Sequence, residues 1–149
     1  MKRWGSAAGR WGSAAAWCRG VYVAGFAEGT VAHVVDLARG GLDAYENFPY
    51  APVRALFLAL VVLDPLVVLL LLRAPVAGVA AGALVMALDL AANLTANAGD
   101  LAAAPLRTLP GMAPLLLFGA FVLATAWPLT RALGRRAPAL QEGGADAIK

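Results

Sequence analysis

Apolar residues gather into four long stretches, at about 18–38, 55–72, 76–97 and 112–131, separated by short polar or aromatic connections. Each stretch is long enough for a helix to cross about 30 Å of hydrocarbon, which takes about 20 residues. The second, from Ala55 to Leu72, is broken only by Asp64 and Pro65, and the first is the most polar because it carries Glu28, His33 and Asp36. Only Arg73 to Pro75 separates the second stretch from the third, so those two helices are expected to pack as antiparallel neighbours. The pattern predicts an all-α fold, an integral membrane four-helix bundle. Residues 18–136 form the four-span domain, 1–17 a basic and aromatic N-terminal segment, and 137–149 a flexible tail.

The polar interruptions are not scattered. Counting inward at 1.5 Å per residue from the end of each stretch nearer the Arg39–Val53 connection puts Glu28 about 16 Å deep, Asp64 about 15 Å and Asp89 about 12 Å. All three carboxylates therefore fall near the middle of a bilayer, with no Lys or Arg at the same depth. On a helical wheel Gly25, Glu28, Gly29, Ala32, His33 and Asp36 share one small and polar face, while Val23, Ala27, Val31, Val34 and Val35 fill the other side. Gly25 and Gly29 form a GxxxG step suited to close helix approach. In the third stretch Gly78, Gly82, Asp89 and Asn93 fall on one stripe, so its contact face and its polar face coincide. Pro65 removes a backbone hydrogen bond next to Asp64 and favours a kink with a free carbonyl. Insertion of three lipid-facing acids would cost about 8–10 kcal/mol in sum, so the acids are expected to face inward.

Composition agrees with this reading: over 149 residues the chain is 61% hydrophobic and 14% charged, with a mean hydropathy of +0.73, too apolar for a water-soluble domain. Of the 12 Lys and Arg, all but Arg39, Arg54 and Arg107 fall on one side of the predicted spans, which places both termini in the cytoplasm and makes the protein a multi-pass cell-membrane protein. The Arg39–Val53 connection, with Tyr45, Phe48, Pro49, Tyr50 and Pro52, is then an aromatic cap at the outer interface. Residues 3–8, Arg-Trp-Gly-Ser-Ala-Ala, recur at 10–15, which pairs Arg3 with Arg10 and Trp4 with Trp11 on shared sides of a helix suited to a membrane surface. Arg10 interrupts any signal-peptide core, so no cleaved leader is expected. A lone Cys18 rules out an internal disulfide. No nucleic-acid partner is expected, because basic and aromatic residues interleave on no soluble surface.

The chemistry-bearing residues are thus Glu28, His33, Asp36, Asp64, Asp89 and Asn93, candidates for ligand or cation binding. Carboxylate and imidazole suit several divalent ions, but no spacing of the HExxH kind is present, so no metal site and no particular cofactor is assigned. No nucleophile is set beside a base and an oxyanion donor. Four spans with cytoplasmic ends, acids in the first two spans (Glu28, Asp36, Asp64) and the Met112-Ala113-Pro114 opening of the last helix resemble, over residues 20–135, the EXPERA group of emopamil-binding sterol isomerases and their non-enzymatic, amine-binding relatives. That resemblance implies Asp36 and Asp64 as cation-binding acids; the single His33 departs from the isomerases. Binding is expected rather than catalysis, the enzymatic form being an intramembrane acid/base isomerase or cyclase. Three functions follow as expectations. The first is an acidic intramembrane pocket, open toward the outer side, for an isoprenoid, sterol-like or cationic amphipathic ligand. The second is a proton- or cation-coupled carrier acting as a homo-oligomer. The third is an accessory subunit whose acids pair with a partner in a larger membrane complex.

Overall fold

A computed structural model describes the backbone of residues 7–48 and 50–135 and the side chains of 13–48 and 50–135. Five α-helices follow one another: α1 (Ala7–Gly40), α2 (Ala51–Arg73), α3 (Pro75–Ala96), the short α4 (Ala98–Ala103) and α5 (Pro105–Gly134). A 3-10 turn at Gly41–Asp43 follows α1. Four segments are long and apolar enough to cross a membrane: Ser13–Asp43, Ala51–Arg73, Pro75–Ala96 and Pro105–Gly134. The first and last helices run beyond the apolar stretches that predict them, and α4 has no counterpart in the sequence reading. The repeat pairing Arg3 with Arg10 and Trp4 with Trp11, and the tail at 137–149, lie outside the described residues, as does Pro49.

Local chemistry sets the helix ends. Ala74 and Ala104, each directly before a proline, adopt φ/ψ of −139°/72° and −148°/65°, because the proline ring forces its predecessor out of the helical region. Pro75 and Pro105 then open α3 and α5, where a missing N–H costs nothing. The link between α2 and α3 is therefore a single residue, and the two helices pack against each other. Gly41 ends α1 in the left-handed region at φ 61°, which a residue with a Cβ rarely adopts. Pro65 lies inside α2, which runs unbroken through it, and Pro110, Pro114 and Pro128 lie inside α5. Threonine hydroxyls are satisfied within their own helices: Thr30 donates to the Phe26 carbonyl at 2.8 Å, and Thr95 to that of Ala91 at 2.7 Å.

The helices pack in the cyclic order α1, α2, α3, α5, with α5 returning to α1 along a shorter contact than the others. One end of the array carries Tyr45, α4 and the start of α5; the other carries Ala74 and the end of α5. Glycine permits the tight seams. A Cβ on Gly78 would run into the backbone of Leu71, and one on Gly82 would lie 3.0 Å from the Phe26 ring. The small residues of the α3 stripe thus do face neighbouring helices. Tyr22, Leu60, Leu71, Val79 and Val122 are fully buried, whereas Val31, Val62, Leu66, Leu84, Leu117 and Leu123 stand exposed on the outer surface, an apolar exterior that suits lipid better than water.

Candidate functional site: an acid-lined cleft between α1 and α5

Toward the Ala74 end, α1 and α5 are closed by aromatic side chains. The Tyr22 hydroxyl donates to the Val122 carbonyl at 2.6 Å and lies 3.2 Å from Thr125 Oγ1. The Tyr22 and Phe121 rings meet edge to face at 5.9 Å, and Phe26 and Phe118 do so at 5.6 Å. Gly25 lets this happen, since a Cβ there would occupy the space of the Phe118 ring. Tyr22 and Phe26 were not singled out in the sequence. With Glu28 set at zero on the α1 wheel they fall at roughly 120° and 160°, beside His33, so the face that packs is rotated away from Glu28.

Past this aromatic layer the two helices hold a cavity of about 490 Å³ between them. Its walls are Gly25, Phe26, Glu28, Gly29 and His33 of α1, Asp64 of α2, Val85, Met86 and Asp89 of α3, and Gly111, Pro114, Leu115 and Phe118 of α5. Glu28, Gly111 and Pro114 are exposed and form the lip; Asp64 lies at the back, only 5% exposed. The cleft therefore gives sideways onto the helix surface, with no Lys or Arg among its lining residues.

Each acid is placed differently. Asp64 is the one buried charged residue among those described. Its carboxylate lies against Gly29, where a Cβ would come within 2.6 Å of Oδ2, so the missing side chain on α1 makes room for the acid on α2. No hydrogen bond from a described residue holds this carboxylate. Asp89 is half-buried and fixed one turn from Asn93, whose Nδ2 donates to Asp89 Oδ1 at 2.9 Å and to the Asp89 carbonyl at 3.1 Å. Asn97 in turn donates to the Asn93 carbonyl at 2.8 Å. Asn93 thus stands behind Asp89 as a positioning residue and is not part of the wall.

His33 closes the cleft toward the Tyr45 end. Its ring stacks on Phe57 at 6.3 Å, and its Nδ1 lies 2.9 Å from the Tyr45 hydroxyl. That hydroxyl donates to Asp36 Oδ2 at 3.2 Å. Asp36 is exposed and lies outside the cleft, in a second recess of about 390 Å³ that it shares with Arg39, Gly40, Ala44, Tyr45 and Phe48. The Tyr45 ring packs on Phe48 and Phe57 at 6.3 and 5.3 Å and is 7% exposed. Burial and the neighbouring Asp36 carboxylate push the Tyr45 phenol well above its ordinary range, so it keeps its proton.

Of the six residues singled out in the sequence, Glu28, His33, Asp64 and Asp89 converge on the cleft, Asn93 supports Asp89, and Asp36 belongs to the neighbouring recess. Tyr45, which joins the two spaces, reads in the sequence only as one aromatic of an interfacial connection. Among the described residues no group of three or more His, Cys, Asp or Glu side chains is arranged to hold a metal ion. Comparison with protein-family models, curated proteins and solved structures yields no match.

Proposed function

We propose that the chain is an integral membrane four-helix bundle with both termini on the cytoplasmic side, whose cleft binds an amphipathic molecule with a cationic centre drawn from the surrounding lipid. The four apolar helices and their exposed leucines and valines support the bilayer setting, and the distribution of Lys and Arg along the sequence supports the orientation. The Tyr45 end is then the outer one. The observation that carries the ligand class is the Asp64 carboxylate, which no described residue hydrogen-bonds and which stays open to the cleft at the back of a cavity that also receives Asp89 and Glu28 and has no Lys or Arg in its lining.

Charge in such a place is costly unless a counter-charge meets it, and a cation lacking its water shell gains most from fixed acids in low dielectric. Phe26, Val85, Met86, Leu115 and Phe118 offer the apolar body of a ligand its contacts, while the exposed lip lets it slide in sideways without crossing water. A lipophilic amine or a cationic lipid meets both requirements, in keeping with the ligand class implied by the sequence resemblance. A neutral sterol or isoprenoid satisfies only the apolar walls.

The test is binding of a fluorescent long-chain tertiary amine to the full chain in lipid nanodiscs, beside a neutral amide of the same length. Asp64→Asn is expected to weaken amine binding about tenfold or more, equivalent to about 1.4 kcal/mol, and to leave the amide unchanged. Equal amine affinity in wild type, Asp64→Asn and Asp89→Asn would overturn the proposal. The exposed Glu28 on the lip favours a second reading, in which a partner's helix places Lys or Arg in the same cleft. Co-purification of a stoichiometric membrane partner that Glu28→Gln releases is the result expected of it.

A further inference from the structure

The hydrogen bonds at the Tyr45 end join two otherwise separate spaces. His33 lines the cleft, Asp36 lines the outer recess, and Tyr45 lies between them, bonded to both at 2.9 and 3.2 Å. The polarity of this chain is fixed by its chemistry. A carboxylate only accepts, so the Tyr45 O–H points at Asp36, and the Tyr45 oxygen is left to accept from His33 Nδ1–H. His33 Nε2 is then the atom left to take a proton from the cleft.

We infer that His33, Tyr45 and Asp36 form a proton relay between the cleft and the outer surface, so that a cation entering the cleft expels a proton outward. This deepens the ligand reading above and rests on it for the identity of the cleft as the binding site. When a cation approaches, a protonated cleft acid gives its proton, by way of water admitted to the cleft, to His33 Nε2, and the Nδ1 proton passes to the Tyr45 oxygen. The Tyr45 proton passes to Asp36, which releases it to outer water. The product state holds a deprotonated cleft acid, His33 with its proton on Nε2, neutral Tyr45 and ionised Asp36. Departure of the cation runs the same steps inward and restores the Nδ1–H form. Every O–H and N–H bond broken is matched by one formed, and no ring rotation is needed because the two directions alternate.

The surroundings suit this traffic. The groups able to hold the exchanged proton on the cleft side are Glu28 of α1, Asp64 of α2 and Asp89 of α3, while the part of α5 that lines the cleft, Gly111, Pro114, Leu115 and Phe118, contributes none. On the outer side Arg39 shares the recess with the exposed Asp36. The raised Tyr45 phenol stays neutral, which lets it act as a donor and acceptor at once without ionising. Phe57 and Phe48 pack on the Tyr45 ring and hold it in place. Toward the Ala74 end the aromatic layer of Tyr22, Phe26, Phe118 and Phe121 places apolar rings where a matching inner path would run.

The test uses the full chain, oriented in phosphatidylcholine vesicles, and a hydrophobic carbodiimide, which reacts only with protonated carboxyl groups in apolar surroundings; adducts are located by mass spectrometry. The pH on the two sides is varied independently, and no amine is present. In wild type, labelling of Asp64 and Asp89 is expected to rise as the Tyr45-side pH falls, by up to about tenfold per pH unit above the titration range, and to ignore the pH on the Ala74 side. Tyr45→Phe keeps the ring and removes the hydroxyl, and Asp36→Asn alters an exposed residue; both are expected to flatten the response at least about fivefold. Wild-type labelling that follows the Ala74-side pH, or neither side, overturns the relay, as does an unchanged response in both variants. Should the amine fail to bind while labelling still obeys the Tyr45-side pH through Tyr45, the ligand reading falls and the relay stands.

Discussion

The seam between α1 and α5 has two halves of opposite character. Toward the Ala74 end Tyr22 and Phe26 meet Phe118, Phe121 and Val122 and fill the seam, leaving beyond them a small recess of about 100 Å³ among Ala15, Cys18, Pro128 and Leu129. Toward the Tyr45 end Glu28, Gly29 and His33 face Gly111, Pro114 and Leu115, and about 490 Å³ stays open. The helices are the same; the side chains differ. Large rings fill the gap in one half, while in the other glycines and mutually repelling carboxylates leave it, so the cleft is written into residue volume and charge rather than into any break of the helices. In a bilayer, whose lipid tails are as apolar as leucine, such a closed half is held by packing and hydrogen bonding more than by withdrawal from solvent.

The largest effect is expected from breaking the closed half. Tyr22→Ala removes a fully buried ring together with its hydroxyl, and the cavity left behind should cost about 2–4 kcal/mol of stability. Equilibrium unfolding in mixed micelles measures it. A loss below about 1 kcal/mol would mean that the seam is not what holds α5 against α1. The neighbouring α2–α3 seam, closed by Gly78 on Leu71, should keep its own cysteine cross-linking pattern in this variant, since it shares no side chain with Tyr22.

These two halves were unequally legible in the sequence. The four spans and the inward Asp64 and Asp89 follow from hydrophobic length and the cost of charge in lipid, which act on single helices and need no partner to be seen; Glu28, expected to face inward with them, instead stands exposed on the lip. Glu28, Asp64 and Asp89 were therefore found by depth alone, and His33 by its face on α1. The closed half depends on which aromatic residues meet across helices 100 positions apart, and Tyr22 reaching Val122 is a contact that no local pattern encodes. Asp36 shares the α1 face with Glu28, yet it lies about two helical turns further out, where Tyr45 takes it into a different recess. Likewise α4 and the early start of α5 depend on the Ala104–Pro105 step, a local signal that lies between the apolar stretches and was overshadowed by them.

Filling the open half is the next largest test. Gly111 sits on the lip with nothing within 4 Å of where a Cβ would stand, so Gly111→Leu should project into the cleft without disturbing the fold. Amine affinity is expected to fall about tenfold, or about 1.4 kcal/mol, with unfolding stability unchanged or slightly raised as a helical glycine is removed. Gly29→Ala approaches the same cleft from α1: its methyl would displace the Asp64 carboxylate, and amine affinity should fall by a smaller factor, about threefold to fivefold, because the charge remains but moves. If Gly111→Leu leaves binding intact while Gly29→Ala abolishes it, the ligand does not pass between α1 and α5.

The smallest expected effect separates packing from hydrogen bonding in the closed half. Tyr22→Phe keeps the ring against Phe26 and Phe121 and removes only the hydroxyl that donates to the Val122 carbonyl at 2.6 Å. Thr125 Oγ1 retains its own bond to the Phe121 carbonyl at 2.7 Å, so no polar group is stranded by the change. Helix-to-helix hydrogen bonds in membranes contribute about 0.6 kcal/mol on average, and about 1.7 kcal/mol at most, so the loss should fall in that range and well below that of Tyr22→Ala. If Tyr22→Phe instead costs as much as Tyr22→Ala in the same unfolding measurement, the hydroxyl and not the ring closes the seam. The aromatic layer would then owe its place to one bond from α1 to the α5 backbone.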